Sequence, residues 1–513
     1  MNPIELKLFA SRVSAICDEM GTVLRRTAFS PNIKDRLDFS CALFGTEGEL
    51  FAQAAHIPVH LGSMAFAMAS IIDEPDWQPG DMLVLNDPFL GGTHLPDVTL
   101  IAPVFNGDSE LIGFVANRAH HADIGCETPG SMPLSRNIEE EGVIIPPTLL
   151  LRDGKLQPGA GILPGVAGDE LTGDFAAQAG ANQLGVNRLQ QLVAKMGLAS
   201  YRKGMLELND YADRLTAASI SQLRPGRYTF RDYLDDDGFD TCDIELALTL
   251  SITNVGIELD LTQCADQVSG NLNCPQAVVA AAAYYCFRCL MPEHAPACAG
   301  LFRRIKLITR EGSLVHAVRP AAVAAGNVET SMRLVDLVFG ALAQAMPTMI
   351  PAASQGTMNN VAMGYIDPDS AERWDYYETL AGGLGGGPSF AGLDAVHSHM
   401  TNTLNTPIES LETHYPLRVR QYAVRRGSGG CGLHAGGNGI VKEYEFLAVA
   451  QVSLLSERRK YGPWGLHGGA DGVPGINRLN GEVLPGKCSI AVQPGDRLTI
   501  ETPGGGGWGA VAD

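Results

Sequence analysis

The run Asn86-Asp87-Pro88-Phe89-Leu90-Gly91-Gly92-Thr93-His94-Leu95-Pro96-Asp97 lies between two strand-like stretches, Asp81–Leu85 and Val98–Val104. Its Pro and Gly content excludes helix or strand interior, so it reads as a shaped loop at the end of a sheet. The loop carries two carboxylates and an imidazole. A second polar cluster, His120-His121-Ala122-Asp123, follows where the chain returns from the next hairpin. Charged and imidazole groups gathered on loops at strand ends are more often chemistry than packing.

The hairpin pairs Val98–Val104 with Leu111–Asn117 around Asn106-Gly107-Asp108-Ser109. A turn of even length at Gly107-Asp108 sets Asp97 nearly opposite residues 116–118. His120 then shares the face of Asp97 and His121 takes the other face. An odd loop or a bulge reverses that assignment. On the even-loop reading His94, Asp97 and His120 converge as an open site for Zn²⁺, Mn²⁺ or Fe²⁺. The competing reading is a hydrogen-bonded loop in which Asp97 caps backbone amides. Asp38, read as part of the apolar strand Leu37–Phe44, is a candidate fourth ligand, because an isolated buried carboxylate needs a partner.

Outward from this hairpin, Asn2 and Pro3 cap a long opening helix to about Arg26, with apolar residues at helical spacing. Residues 49–52 return from a turn as a strand, and 61–73 read as an Ala- and Met-rich helix. Helices resume between Asp169 and Ala217 and stop before Arg224-Pro225-Gly226. Strands follow at 227–232, 244–252 and 257–261, then helices at about 275–291 and 328–345. Beyond Pro347 the chain is rich in glycine and turn signals, as in an all-β region. The expected fold is a multidomain α/β (α+β) protein. Its parts are a mixed domain at 1–222 carrying the metal-site loops, a central strand-plus-helix domain at 223–346, and a β-rich domain at 347–513.

With 513 residues the chain exceeds one core, and 45% hydrophobic against 18% charged residues is an ordinary globular balance. A formal charge of −20 argues against nucleic-acid or anionic-membrane surfaces. The start of the chain has no secretory pattern, and eleven scattered cysteines suggest reduced thiols in a cytoplasm. Cys286, Cys289 and Cys298 lack finger-like spacing, and Ala280–Met291 reads as a buried helix with cysteine as a small hydrophobe. Gly427–Gly432 matches a dinucleotide string without the βαβ context, so it reads as a structural loop. There is no Walker-type loop and no Gly-x-Ser-x-Gly elbow. Asp235-Asp236-Asp237 reads as a solvated turn. His56 and His60 read as satisfied core histidines, with a supporting role for metal ligands as the alternative. His397 and His399, near Asn402 and Asn405, read as a hydrogen-bonded loop.

Several long strings make the chain resemble the hydantoinase B / 5-oxoprolinase family, which includes acetone and acetophenone carboxylase subunits. They include Asn32–Ser40, His56–Met64, Asn86–Asp97, Arg118–Gly125, Pro129–Pro133, His399–Pro407, Ser428–Gly430 and Thr502–Gly509. The resemblance implies a two-component, ATP-dependent enzyme. A hydantoinase A-type partner would bind ATP and Mg²⁺ and phosphorylate the substrate carbonyl oxygen, in a hetero-oligomer of A2B2 type. The B-type chain would hold the divalent metal and complete ring opening of a small-molecule lactam or hydantoin. By that resemblance the metal residues are His94, Asp97, His120 and Asp38, while Asp123 and Asp87 tune or position the site. Cys126 departs from a glycine common in relatives. A ketone carboxylase subunit with the same metal site and a non-catalytic scaffold are the alternative readings.

Overall fold

In the computed structural model, residues 1–73, 76–158, 163, 166–167, 170–366 and 373–511 are described. The opening helix α1 (Pro3–Thr27) starts at a capping box between Asn2 and Glu5, which satisfies two amides at its exposed start. It buries Phe9, Val13, Ile16, Cys17, Met20 and Leu24, the stripe set by its helical spacing.

The N-terminal sheet is built from β1 (Phe39–Phe44), β2 (Leu50–Ala55), β3 (Met82–Leu85), β4 (Asp97–Phe105), β5 (Leu111–His120), β6 (Thr148–Arg152) and β7 (Lys155–Leu156). Its antiparallel order is β2-β1-β5-β4-β3-β6-β7, so β4 and β5 lie at its centre. Alternation along the strands splits the core in two. Cys41, Leu43, Ala102, Val104 and Val115 meet α1 and the later helix α3 (Gly173–Met196). Ala42, Phe44, Leu85, Ile101 and Phe114 meet α2 (Ser63–Ile71) on the other face. A second long helix, α4 (Leu198–Ile220), follows α3.

The central unit is a four-stranded sheet of β8 (Gly226–Asp236), β9 (Cys242–Ile252), β10 (Ile257–Asp260) and β11 (Ile305–Ile308) in that order. β10 and β11 run parallel, and their crossover contains α5 (Gln276–Cys289). Cys286 is buried in α5, whereas Cys289 is exposed. A π-helical turn, Gly326–Thr330, leads into the buried α6 (Ser331–Ala345). The glycine-rich region forms two sheets over one shared core. One joins β12 (Asn360–Ile366), β13 (Arg373–Glu378), β16 (Ala450–Leu455) and β19 (Lys487–Val492). The other joins β14 (Leu417–Arg425), β15 (Gly439–Phe446), β17 (Ile476–Leu479), β18 (Glu482–Leu484) and β20 (Arg497–Glu501). Segments 382–392, 428–439, 465–472 and 504–509 bond to one another through their backbones, so Gly427–Gly432 is part of a structural lattice.

Three expectations are corrected. Asp38 is not in a strand: it immediately precedes β1, and its carbonyl accepts the His120 amide at 3.0 Å. Asp235 and Asp236 lie in β8, and Asp235 and Asp237 are buried rather than solvated. Asp237 accepts the amides of Phe239 and Thr241, which is how a buried carboxylate escapes its desolvation cost. The hairpin turn is also not even. Asn106 bonds to Glu110 across a three-residue loop in which Ser109 has φ 58°, and a bulge then shifts the register between Val104 and Phe105. The bulge passes through Gly113 at φ 150°, where a Cβ would sit 2.4 Å from the Phe44 carbonyl oxygen. Odd loop and bulge cancel, so Asp97 pairs directly with His120 instead of facing residues 116–118.

Candidate metal centre

Four segments meet at the end of the N-terminal sheet. The β3–β4 loop brings His94, and Asp97 opens β4. His120 closes β5 directly across the ladder from Asp97. The turn Pro58–His60 brings His60, and Asp38 arrives from the edge of β1. The loop is held in shape by Asn86, which donates to the carbonyls of Leu95 and Val143 and accepts the Ile145 amide. Gly91, at φ 89°, presses against α2 so closely that a Cβ would lie 2.2 Å from the Ala67 nitrogen. Arg118 ties the same loop to the sheet by donating to Thr99, Ser63 and the Gly91 carbonyl.

His60 Nε2 and His94 Nε2 each lie 3.3 Å from Asp97 Oδ2. His120 Nδ1 lies 3.6 Å from Asp97 Oδ1 and 3.7 Å from Asp38 Oδ2. All five side chains are buried. Two sets, His94/Asp97/His120 and Asp38/His60/Asp97, each have ligand-type atoms within 4.8 Å of one another. Both ring nitrogens of His94, Nε2 of His120 and Oδ1 of Asp97 are buried without a hydrogen-bond partner. Such atoms are costly unless something binds them, so the donor set fits a divalent cation. Thr93 donates to Asp97 Oδ2, and Ser40 contacts His60 Nδ1 at 3.0 Å, which orients the ring from behind.

The electrostatics divide the two carboxylates. Burial pushes Asp38 up to about 6, and the nearby Asp97 charge adds to that. Burial acts on Asp97 too, but the imidazoles of His94 and His60 outweigh it and hold Asp97 well below the usual range. Burial, then His94, pushes His120 well below an ordinary histidine, which keeps it neutral and able to ligate. Tyr377 stacks on His120 with ring centroids 5.2 Å apart, and the Arg36 guanidinium lies 4.9 Å from the Tyr377 ring. A cavity of about 10 Å³, room for one water-sized group, is lined by Asp38, Asp97, His120 and Tyr377 among others.

His121 points away, its Nε2 2.8 Å from Gln178 Oε1. His60 is a buried histidine with both ring nitrogens partnered, and one of those partners is Asp97, so it also takes the supporting place that was its alternative reading. A histidine four residues after His56 was the available signal, yet His56 itself packs on Phe39 outside the cluster. No sequence pattern pointed to Tyr377 or Arg36. Asp87 and Asp123 are not brought into either ligand set. Asp87 caps the turn Pro88–Leu90 and pairs with Arg319, while the half-exposed Asp123 pairs with Arg373 at 3.1 Å. His399 Nε2 lies 3.3 Å from Asp336, far along the chain from the metal loop.

The chain is 38% identical to 5-oxoprolinase 1 of Arabidopsis thaliana over 99% of its own length, but spans only 42% of that protein. It is 39% identical to an uncharacterised protein of Methanocaldococcus jannaschii, covering 99% of this chain and 91% of the other. Its fold matches the crystal structure of ATP-dependent caprolactamase from Pseudomonas jessenii with a TM-score of 0.90, 27% identity, and coverage of 99% and 91%. The hydantoinase B/oxoprolinase family model matches residues 2–511, and this chain belongs to that family.

Proposed function

We propose that this chain is the metal-bearing subunit of an ATP-dependent cyclic amidase. It would open a lactam or hydantoin ring after a hydantoinase A-type partner phosphorylates the carbonyl oxygen. The observation that carries this reading is the buried cluster of orphaned ligand atoms on His94, Asp97 and His120. The lengths of the relatives support a partner. The same segment is nearly the whole of the archaeal protein but under half of the plant 5-oxoprolinase, which leaves room there for a nucleotide-binding part.

His94, Asp97 and His120 would hold a divalent ion, with Asp38 or His60 completing its shell. Such an ion would activate and orient water and polarise the substrate. Asp97, kept ionised by its imidazole neighbours, supplies the fixed negative charge of the site. Tyr377 closes one wall and excludes bulk water by stacking on His120. Asp87 acts through position, because it caps the turn Pro88–Leu90 in the loop that leads to His94. Asp123 holds the segment after β5 through Arg373 and its own bond to the Gly125 amide.

Reconstitution with the partner tests the proposal. Metal analysis should find a divalent ion in the wild-type chain, and ATP-coupled opening of 5-oxoproline or hydantoin should vanish in His94→Ala and Asp97→Ala. Full turnover by both variants would sink it. Activity confined to ketones plus bicarbonate would instead assign a carboxylase.

A further inference from the structure

Arg36 is fully buried beside the metal cluster, yet among the described residues it forms no ion pair. It donates through Nη1 to Asn32 Oδ1 at 3.3 Å and the Tyr377 carbonyl at 2.9 Å. Through Nη2 it donates to Thr379 Oγ1 at 2.9 Å and Thr403 Oγ1 at 3.5 Å, and its Nε has no partner. A buried guanidinium ordinarily has an anion beside it. Here its acceptors are instead neutral: an amide oxygen, a backbone carbonyl and two threonine hydroxyls.

Thr379 and Thr403 lie 3.0 Å apart, and Thr403 and Thr401 3.4 Å apart, oxygen to oxygen. A guanidinium only donates, so Thr379 and Thr403 accept from Arg36 and their own protons point elsewhere. Three hydroxyl protons share two mutual contacts, which leaves at least one proton with no acceptor among them. All three threonines line the same small cavity as Asp38, Asp97 and His120. Asn327 lines it too, and its buried, unpartnered Oδ1 is an acceptor that offers nothing to an anion.

We propose that Thr379, Thr401 and Thr403, charged by Arg36, form an oxyanion-binding wall that receives one anionic oxygen of the substrate next to the metal centre. The cavity has room for one such atom. This rests on the cyclic-amidase reading. The oxygen comes from either of two groups, the phosphoryl on the activated carbonyl or a carboxylate substituent on the ring.

Calorimetric titration of the full, zinc-loaded chain with inorganic phosphate and, separately, with acetate tests the wall. Binding of phosphate that weakens about tenfold in Thr403→Val and Thr401→Val supports a phosphoryl subsite, since one hydrogen bond to a charged group is lost. The same pattern with acetate alone supports a carboxylate subsite. Thr403→Ser and Thr401→Ser, which keep the hydroxyl, should bind within about threefold of wild type at matched melting temperature. If a valine variant does not fold, Thr379→Val and Arg36→Lys take its place. Binding unchanged in the folded variants, or no binding of either anion by the wild type, overturns the proposal. Failure of the amidase reading looks different: no ring opening by the reconstituted pair, with hydroxyl-dependent anion binding intact.

Discussion

Two buried polar clusters stand in this molecule, and they are built on opposite rules. Between the central sheet, α6 and the C-terminal sheets, Arg333 meets Asp232 and Glu457, Arg458 meets Asp232 and Asp336, and Lys487 meets Glu457. Three cations face three carboxylates, each with an opposite charge within 4.0 Å. At the end of the N-terminal sheet, two carboxylates and three imidazoles converge, and several of their atoms have no partner. The first cluster balances its charges without a ligand, although Nε of Arg333, Nε of Arg458 and Oδ1 of Asp336 also lack hydrogen-bond partners. The second becomes complete only when something electrophilic enters it, and that is what separates a structural network from a candidate site.

The largest separation of the two should come from His94→Ala or Asp97→Asn. Both should abolish bound metal and lower coupled turnover by about 10³-fold, as expected when several kcal/mol of charge stabilisation is lost. His120→Ala should behave alike, and His121→Ala should keep its metal; elemental analysis of the purified variants reads both. In the paired network, Arg333→Met or Lys487→Met should cost about 3–5 kcal/mol in urea unfolding, because an uncompensated charge is left behind. In metal-free buffer, a metal-site variant with that same stability loss would erase the distinction.

Metal removal should act only on the second cluster. At a hundred times its Kd, zinc should raise unfolding stability by about 3 kcal/mol, and Asp97→Asn should abolish that gain. The smallest effect is on pH dependence. Glu141 and Glu329 are buried with no cation paired to them among the described residues, and burial pushes each up to about 7 from 4.5. A carboxyl with a raised folded-state pKa allows full stability below about pH 4.5 and loses it as pH rises through about 7. Glu141→Gln keeps an acceptor for the Val323 and Ala324 amides. It should therefore gain about 2 kcal/mol over wild type near pH 8 and nothing near pH 4.5.

Helices and strands with clean periodicity were legible from residue order. α1 begins where Asn2-Pro3 placed it, and β4, β5, β9 and β10 lie where the apolar runs fell. Irregular backbone was not legible. The loop at Gly107 and the bulge near Gly113 each reverse strand parity, and only together do they restore the predicted face for His120. That face was therefore right for a reason the sequence did not contain. Asp235 and Asp237 looked solvated because a run of acids usually is, and only packing against the 456–461 segment and Gly270 buries them.

The sequence by itself determined the local chemistry: a Pro- and Gly-shaped loop holding His94 and Asp97, and a hairpin returning His120 toward it. Short-range spacing and turn stereochemistry suffice for that, because they act within a few residues. Asp38 was already a candidate ligand in the sequence; only the tertiary structure decided that His60 joins the cluster, that Asp87 and Asp123 stay outside it, and that Tyr377 and Arg36 close it from beyond residue 340 and from the first segment. Those contacts join segments up to several hundred residues apart. Their geometry depends on how separate sheets pack and on which buried charges find partners, and no local pattern encodes either.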